Sequence, residues 1–543
     1  MRRHVREVLA IIVLVSAVAR FWGLGFGLPH TQARPDETYI IDVARSFLRG
    51  GGSPPYYDYP WLYMWALTGL YLGYYMWGLA TGTFHSIADL LASWPVHWAP
   101  FFLLSRALSA ALGTATVVVV FRIGRRLWGD ATGLVAAFFL GVAFLHVRDS
   151  HFGTTDVAMT FLIMLSISFL LDAHFEQRPS RFVLAGAVGG LAAATKYNAL
   201  LLPVTMLASQ IVHGLDLPTG RLRAALDRRW LWFGVPFALA FLVGIPFVLL
   251  DFHRFLATMR LLGDSMAVGT PELALNSGWV HHFEFSLRYG LGLPLLMAGL
   301  AGTVALLVSE PRVGAVLLSF PIAYYLVAGG IQNLFFRYAI PVVPFLCLTA
   351  AHLLCRAVGR LTAGRQAQSP ESRWIFAAAT SVFAIALAAP SALSVWQFDR
   401  VVSETDNRVV VVQWFELHVP PGSSVLQSGS RYGLAQFDRK LQYKLWIWDG
   451  ARQIFKVDRR PATGRPDWIL VQHSPLPSET QAIVNEFLTE DYVLVQEFQA
   501  LSLDVDHVFD RQDAFFVPFA GFTAVRRPGP NFSLFKRASA PTT

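Results

Sequence analysis

The sequence predicts a polytopic α-helical membrane protein, with about 11 transmembrane helices plus interfacial helices and a C-terminal extracytoplasmic α/β domain. Composition predicts the membrane region: 54% of the 543 residues are hydrophobic and only 15% are charged, against about 25% charged residues in soluble domains. An alternation of strand-like and helical runs after residue 395 predicts the appended domain. We therefore expect two domains, 1–395 and 396–543.

The first predicted span is about Val5–Leu24, and arginines at positions 2, 3 and 6 mark its N-terminal end. Positive charge marks the cytoplasmic side, so the N-terminus is expected in the cytoplasm and the residues after 24 outside. A cleaved signal peptide is the alternative, because residues 17–19 (Ala-Val-Ala) resemble a cleavage site. The many membrane segments that follow disfavour it.

Ten further apolar segments are long enough to span, or nearly so if one end is buried in protein. They are about 101–123, 131–147, 157–173, 182–195, 198–213, 231–250, 291–309, 313–330, 339–355 and 374–395. Counted from a cytoplasmic N-terminus, this series places every arginine cluster on the cytoplasmic side. Those clusters lie at 125–126, 178–181, 221–229, 312 and 356–373.

The segment 59–82 is long enough to span, but counting it would invert everything after it. Its many Tyr and Trp residues suit the membrane interface, so we expect an in-plane or re-entrant segment. Four regions then lie outside the cytoplasm: about 25–100, 148–156, 251–290 and 331–338.

The tail that joins them contains strand-like runs and one helical stretch between Pro- and Gly-rich turns. The strand-like runs are 409–412, 425–427, 468–471 and 492–495, and the helical stretch is 478–488. About 145 residues are enough for an independent core, so this region is predicted to be a small α/β domain.

Several functional classes are excluded. The net charge of +8 comes largely from arginines between apolar runs, and no nucleic-acid motif accompanies it, so no nucleic-acid partner is expected. The only cysteines, Cys347 and Cys355, share one apolar segment and form neither a disulfide framework nor a C-x-x-C motif. The sequence contains no P-loop, no G-x-G-x-x-G after a strand, no H-E-x-x-H and no G-x-S-x-G motif. Nothing therefore indicates a soluble nucleotide as the energy source or a hydrolase of the classes that these motifs mark.

Two adjacent carboxylates, Asp36 and Glu37, stand in the first outer region, in the stretch LPHTQARPDETYI. One interpretation is a helix start, because Pro and acidic residues are favoured in a first helical turn. The other is catalytic: a carboxylate at the membrane face could remove a proton from an acceptor hydroxyl or amine. The residues alone leave both open.

The second outer loop places Arg148, Asp149, His151 and Asp156 within nine residues between two spans. Because so short a loop stays near the bilayer, its charges are expected at headgroup depth. They could be an N-cap with solvated charge. A divalent metal ion held by Asp36, Asp149, His151 and Asp156 is the alternative, although one histidine is weak evidence for it.

Other ionisable residues lie at or near outer span ends. Lys196 separates two apolar half-segments, and a lysine at membrane depth costs about 2.5–3.5 kcal/mol, which makes it a functional candidate unless it snorkels to the interface. Arg337 and Tyr338 enter a span from the outside, and Arg106 lies just inside another; such arginines usually pair with a carboxylate or phosphate. Asp251 begins a long outer loop that could act as a lid.

Together these pieces resemble the GT-C superfamily of polytopic glycosyltransferases, specifically the family 39-like branch of protein O-mannosyltransferases and lipid A aminoarabinose transferases. The motifs that carry the resemblance are Asp36-Glu37, Arg106 with Gly113 and Gly124-Arg125-Arg126-Leu127-Trp128-Gly129, His151 to Asp156, Ala194-Thr195-Lys196-Tyr197-Asn198, and Phe336-Arg337-Tyr338-Ala339-Ile340-Pro341. Each is weak alone, but their order and their shared outer-side placement make the match specific.

The resemblance implies an inverting transfer of a hexosyl or pentosyl group from a polyprenyl-phosphate-linked donor to an extracytoplasmic protein, lipid or polysaccharide. Asp36 is then the expected base, with Glu37 as its neighbour or an acceptor ligand. Lys196, Arg337, Tyr338 and Arg106 are expected to bind the donor phosphate. Arg148, Asp149, His151, Asp156 and Asp251 are expected to support the site. The enzyme would be a multi-pass protein of the cell membrane in contact with membrane lipid, with no certain cofactor.

The tail does not look like the sugar-binding repeats of the eukaryotic members of that family. Asp406-Asn407-Arg408, Gly521-Phe522 and Arg527-Pro528-Gly529-Pro530 look like an appended domain of bacterial relatives, so the acceptor cannot be carried over. Two other functions remain: a transporter or flippase of lipid-linked saccharide, and a membrane sensor whose tail binds a ligand. A transporter needs ionisable or broken-helix sites near the bilayer midplane, whereas most charges here lie at outer span ends.

Overall fold

The computed structural model describes residues 2–50, 57–93, 98–215, 227–269, 273, 275, 277–362, 370–477 and 480–538. Part of the predicted arginine cluster at 221–229 and the start of the predicted helix at 478–488 lie outside these residues. The chain divides into two compact units, the first being Met1–Trp22 with Tyr39–Trp396 and the second Gly23–Thr38 with Gln397–Thr543. The segment Gly23–Thr38, which the sequence assigned to the membrane domain, is therefore described with the tail.

The helices of the first unit, two of which (α2 and α17) continue into the second, are numbered in chain order. They are α1 (Arg2–Phe21), α2 (Pro35–Leu48), α3 (Leu62–Thr81), α4 (Ile87–Ala92), α5 (Ala99–Trp128), α6 (Asp130–Gly141), α7 (Phe144–Ser150), α8 (Thr155–Glu176), α9 (Pro179–Thr195), α10 (Pro203–Gly214), α11 (Arg229–Gly244), α12 (Phe252–Val268), α13 (Gly278–Leu291), α14 (Leu293–Ser309), α15 (Pro311–Gly329), α16 (Val343–Thr362) and α17 (Pro370–Val402).

Each predicted span overlaps at least one helix. Among the described residues, five helices are long and apolar enough to cross a membrane, or seven if each of two bent helix pairs is one span. The chain is therefore a multi-pass membrane protein, whereas the count of about eleven spans stays a prediction. The segment 59–82 forms the 20-residue helix α3, and its in-plane placement also stays a prediction.

The span predicted at 131–147 is broken. Helices α6 and α7 meet at an angle of 58°, and the break exposes the last carbonyl groups of α6. Arg20 of α1, which is fully buried, donates hydrogen bonds to the carbonyl oxygens of Leu140 and Gly141 at 3.1 and 3.0 Å. A helix can be interrupted at membrane depth only where other groups satisfy its freed backbone, and Arg20 does so here.

Small residues bring α9 and α11 into close contact. A side chain at Gly186 would overlap the carbonyl oxygen of Phe233, and one at Gly190 would overlap that of Phe237. Glycines four residues apart lie on one helix face, and this spacing lets membrane helices approach at backbone distance.

The second unit is built on a seven-stranded sheet with the order β4-β3-β2-β1-β5-β7-β6. Its strands are β1 (Ser424–Gln427), β2 (Lys444–Asp449), β3 (Ile454–Val457), β4 (Arg460–Pro461), β5 (Trp468–His473), β6 (Tyr492–Phe498) and β7 (Asn531–Arg537). Strand β1 is parallel to both β2 and β5, and the remaining pairs are antiparallel.

Two helices, α18 (Asn407–His418) and α19 (Ala482–Asp491), contribute to the cores of this unit. Side chains of a strand alternate between faces: Val425 packs in a cluster with Phe415 of α18, and its neighbour Leu426 packs in a second cluster with Val484 of α19. Both sheet faces are therefore covered, as in α/β proteins.

One predicted strand is wrong. The run Val409–Val412 lies in the helix α18, whose N-terminus is capped by the Asp406 carboxylate accepting from the backbone N–H of Arg408 at 2.9 Å. Val411 and Phe415, four residues apart, both face the sheet core. Capping and packing thus override the strand preference of the β-branched residues.

Candidate functional site

Three predicted site residues meet in the first unit. The Lys196 Nζ atom lies 2.6 Å from the Asp156 Oδ1 atom, and the Arg337 Nε atom lies 3.9 Å from the Asp156 Oδ2 atom. All three side chains are buried. This group is called the Asp156 cluster below.

Three separate chain segments deliver these side chains. Asp156 occupies the first turn of α8, where the helix dipole favours a carboxylate. Lys196 has an extended backbone that ends α9, and a 3₁₀ turn, Tyr197–Leu201, follows it. Arg337 lies in the 3₁₀ segment Phe336–Val342, directly ahead of α16. Interrupted helices therefore supply both cations.

Aromatic rings enclose the two cations. The Lys196 Nζ atom lies 5.2 Å from the centroid of the Tyr338 ring, and the Arg337 guanidinium carbon lies 4.2 Å from that of Phe335. A cation over a ring face is stabilised by the ring quadrupole. This places Tyr338 beside Lys196, as the expectation of a shared site requires.

Lys196 and Arg337 are two buried cations close to one carboxylate. Removing charges from water costs several kcal/mol per ion, and close partners offset that cost. Arginine and lysine are both common ligands of phosphate, so this arrangement is suited to an anionic ligand.

The second outer loop is buried, which differs from the solvated loop that the sequence left open. Arg148 donates to the Asp149 Oδ2 atom at 3.0 Å, and both side chains are buried. The two ring nitrogens of His151 lie 3.0 and 2.9 Å from the carbonyl oxygens of Val147 and Trp22. These contacts hold the loop to its surroundings.

Hydrogen bonds also tie this loop to α5. The Ser105 hydroxyl donates to the Gly153 carbonyl oxygen and the Ser109 hydroxyl to that of Thr154, each at 3.3 Å. Arg106 stands between these two serines and is fully buried, with its guanidinium 5.6 Å from the Phe102 ring centroid. Its predicted phosphate-binding role stays a prediction.

The remaining predicted residues, Asp251, Asp36 and Glu37, belong to other segments of the chain. Asp251 precedes α12 and faces Arg254 at 3.8 Å, with both side chains more than a third exposed; such surface pairs contribute little stability. Asp36 and Glu37 occupy the first turn of α2, with Glu37 fully buried. They belong to Gly23–Thr38 and are described with the second unit. Their catalytic role stays a prediction.

The metal hypothesis gains no support from the part of the chain that the structure describes. No group of three or more His, Cys, Asp or Glu side chains there could hold a metal ion. His151 directs both ring nitrogens at carbonyl oxygens, so it could ligate a metal only after turning away from one of them.

Sequence reasoning missed Arg20. Its guanidinium donates hydrogen bonds to the carbonyl groups at the end of α6, and it also lies 3.0 Å from the His146 Nδ1 atom. The signal was available: Arg20 is a lone charge near the end of an apolar span, the same criterion that singled out Lys196.

Comparisons with known proteins agree with this architecture. Residues 103–245 match the family model described as dolichyl-phosphate-mannose-protein mannosyltransferase. That range includes Arg106, Asp156 and Lys196, but neither Asp36 nor Arg337. No protein of curated function matches the sequence significantly.

Solved structures match nearly the whole chain. The crystal structure of ArnT from Cupriavidus metallidurans bound to undecaprenyl phosphate has a TM-score of 0.54 at 13% identity, covering 98% of each chain. Its apo form has a TM-score of 0.53 at 13% identity, and the match covers 100% of this chain and 99% of that one. The apo oligosaccharyltransferase of Archaeoglobus fulgidus has a TM-score of 0.51 at 11% identity, and the match covers 98% of this chain and 88% of that one.

The chain thus has the fold of a polytopic membrane glycosyltransferase, and the family match within its membrane region points to the same class. This fold and the family match agree with the resemblance to the GT-C superfamily that the motifs indicate.

Proposed function

We propose that this protein transfers a sugar from a polyprenyl-phosphate-linked donor to an acceptor outside the cytoplasm, with inversion at the anomeric carbon. The observation that carries the proposal is the Asp156 cluster, two buried cations around one carboxylate within a membrane-spanning unit. The ArnT structure supports it, because that protein holds a polyprenyl phosphate on a similar fold.

The donor phosphate is assigned to Lys196 and Arg337, and Tyr338 and Arg106 are proposed to bind the same phosphate. When the bond between the anomeric carbon and the phosphate oxygen breaks, its electron pair stays on that oxygen and negative charge develops there. Cations already oriented toward this position stabilise the transition state without reorganising. Asp156 orients Lys196 by the 2.6 Å contact and offsets the cost of burying two like charges.

The acceptor side of the reaction needs a base. The acceptor oxygen or nitrogen attacks the anomeric carbon from the face opposite the phosphate, and its proton must leave as the new bond forms. Asp36 is the proposed base and Glu37 its neighbour or an acceptor ligand; a base on the far face without a covalent intermediate parallels inverting glycosidases. Arg148, Asp149, His151 and Asp251 are assigned supporting roles.

The orientation follows from the same proposal. By the positive-inside rule, the N-terminus is proposed to lie in the cytoplasm and the second unit outside it. The proposed location is the cell membrane, with both substrates reached from its outer face.

The experiment compares sugar transfer by the wild type and Asp36→Asn. The donor is identified first, by mass spectrometry of the lipid-linked sugars that accumulate in cells lacking the protein. With that donor, the purified Asp36→Asn variant is expected to lose about 10²-fold or more in rate while still binding the donor, because the amide keeps the shape of the carboxylate but cannot accept the proton.

The matched control is Asp42→Asn on the same helix, whose carboxylate is 54% exposed and pairs with Arg45. It is expected to keep wild-type activity. Full activity of Asp36→Asn would remove this residue from the base role. A wild-type protein that moves lipid-linked saccharide across the bilayer without any transfer would instead favour the transporter.

A further inference from the structure

The segment that leads to Asp36 folds as part of the second unit. We propose that the second unit positions the catalytic base: Asp513 and Gln436 hold the segment 23–38 in one conformation through Arg34 and Thr31. This inference rests on the proposed function, because it assumes that Asp36 is the base. It assigns Asp513, Gln436, Arg34 and Thr31 as positioning residues.

The strongest attachment is a buried ion pair. The guanidinium of Arg34, two residues before Asp36, is fully buried and forms a salt bridge with Asp513, which is also buried. The ring of Phe515 lies 5.9 Å from this guanidinium and 5.7 Å from the ring of Phe26. Phe515 of the tail thus contacts the segment at two positions, Phe26 and Arg34.

A second attachment joins Thr31 to Gln436. The Gln436 Oε1 atom accepts from the Thr31 backbone N–H at 3.0 Å and from its hydroxyl at 3.3 Å. The Gln436 Nε2 atom lies 3.1 Å from the same hydroxyl. Next to it, the His30 Nε2 atom lies 2.8 Å from the Leu434 carbonyl oxygen. Residues more than 400 positions apart therefore fix this part of the segment.

The segment is also closed on itself. The Thr38 hydroxyl donates to the Thr31 carbonyl oxygen at 2.8 Å, and the Glu37 backbone N–H donates to the Arg34 carbonyl oxygen at 3.1 Å. A side chain at Gly27 would overlap the Ala33 side chain. These contacts leave the chain between Arg34 and Thr38 little freedom, so a displacement of Arg34 is transmitted to Asp36.

Such positioning matters for rate rather than for donor affinity. A general base must lie within hydrogen-bond distance of the proton that it removes, and a misplacement of about 1 Å can cost about 10²-fold. If the tail only stabilised the fold, variants that disrupt its contacts would lose stability and activity together. If the tail positions the base, these variants have a lower kcat, whereas the KM for the donor stays nearly constant.

The test measures kcat and the donor KM for Asp513→Asn, Asp513→Glu and Gln436→Ala in the full-length protein. We expect kcat to fall about 10-fold or more in Asp513→Asn, with the donor KM within about twofold of wild type. Asp513→Glu is expected to recover most of the lost kcat, because it keeps the charge that Arg34 pairs with. Gln436→Ala is expected to lower kcat in the same direction.

Two substitutions in the same unit serve as matched controls. Glu490→Gln removes a carboxylate from an exposed pair with Arg465, and Gln496→Ala removes an exposed glutamine that bonds only within its own strand among the contacts described. Both are expected to keep wild-type kcat. If Asp513→Asn does not fold, Gln436→Ala decides alone, because Gln436 is exposed and its loss leaves no charge buried.

Wild-type kcat in the folded Asp513→Asn and Gln436→Ala variants would overturn the inference. Asp36→Asn in the same assay separates this failure from that of the proposed function. If Asp36→Asn is inactive and the tail variants are fully active, Asp36 remains the proposed base but the tail does not position it. If Asp36→Asn is active, Asp36 is not the base.

Discussion

At the scale of single residues, His30 illustrates how a buried group couples folding to pH. Its Nε2 atom lies 2.8 Å from the Leu434 carbonyl oxygen, and its Nδ1 atom lies 3.2 Å from the Gln32 backbone N–H. The neutral tautomer protonated at Nε2 satisfies both contacts. Burial, reinforced by the Arg408 guanidinium, lowers the pKa of His30 from 6.5 to about 3.

The sign of the pH effect follows. The unfolded chain takes up a proton near pH 6.5, whereas folded His30 stays neutral to about pH 3. Its contribution to stability is therefore complete above pH 6.5 and is lost as the pH falls toward 3, by at most about 1.4 kcal/mol per pH unit. We expect His30→Gln to flatten the fall in unfolding temperature between about pH 7.5 and pH 5.

The control for this prediction is His473→Gln, which changes an exposed histidine of the same unit. It should retain the wild-type pH dependence of the unfolding temperature. An unchanged pH dependence in His30→Gln would show that this imidazole does not stay neutral in the folded protein.

The sequence singles out Asp156, Lys196 and Arg337 as site candidates, because charge next to an apolar segment is conspicuous wherever its partner lies. The structure brings these three side chains together, and the role of Lys196 and Arg337 in binding phosphate stays a prediction. Sequence reasoning could not find that Asp156 pairs with Lys196, since 40 positions separate them. It also treated Arg148 and Asp149 as candidates for solvated charge, whereas the structure buries both. Burial depends on distant segments that no local pattern reveals.

At the scale of elements, the contact between α9 and α11 depends on two glycines. We expect Gly190→Ala to destabilise the protein by about 1–3 kcal/mol, as overpacking does, because its new methyl group would overlap the Phe237 carbonyl oxygen. A helix backbone cannot yield as a flexible side chain can. The measurement is the unfolding temperature of the purified protein, which is expected to be lower in Gly190→Ala than in the wild type.

Gly234→Ala on α11 is the matched control, since no atom lies within 4 Å of a methyl group placed there. It is expected to leave stability unchanged or slightly raised, because alanine favours helix more than glycine. Equal unfolding temperatures for Gly190→Ala and Gly234→Ala would contradict this close helix contact.

The sequence predicts those helices and strands that depend on a local pattern of residues. Hydropathy marks an apolar helix residue by residue, so each predicted span overlaps at least one helix. The break between α6 and α7 was not predicted, because it depends on hydrogen bonds from Arg20, about 120 positions away. The valine run of α18 was misassigned because a short apolar run fits a helix or a strand equally well.

At the scale of the whole molecule, weak motifs in a consistent order are enough to indicate a resemblance to the GT-C superfamily. The division of the chain into two compact units is harder to predict from the sequence. Sequence placed the first outer region with the membrane domain, whereas Gly23–Thr38 folds with the tail through contacts such as His30 with Leu434, 404 positions apart. Long-range pairing leaves no periodic signal, so only the structure shows that the tail holds the segment containing Asp36.

The central claim is that Lys196 and Arg337 bind the phosphate of a polyprenyl phosphate. The most direct measurement is the dissociation constant of polyprenyl phosphate for purified wild type, Lys196→Met, Arg337→Met and the exposed-lysine control Lys440→Met. If Lys196 and Arg337 bind the phosphate, each of the first two variants binds about 10- to 100-fold more weakly, as loss of a charge-assisted hydrogen bond implies, and Lys440→Met binds normally. Wild-type affinity in both folded cluster variants would contradict the claim.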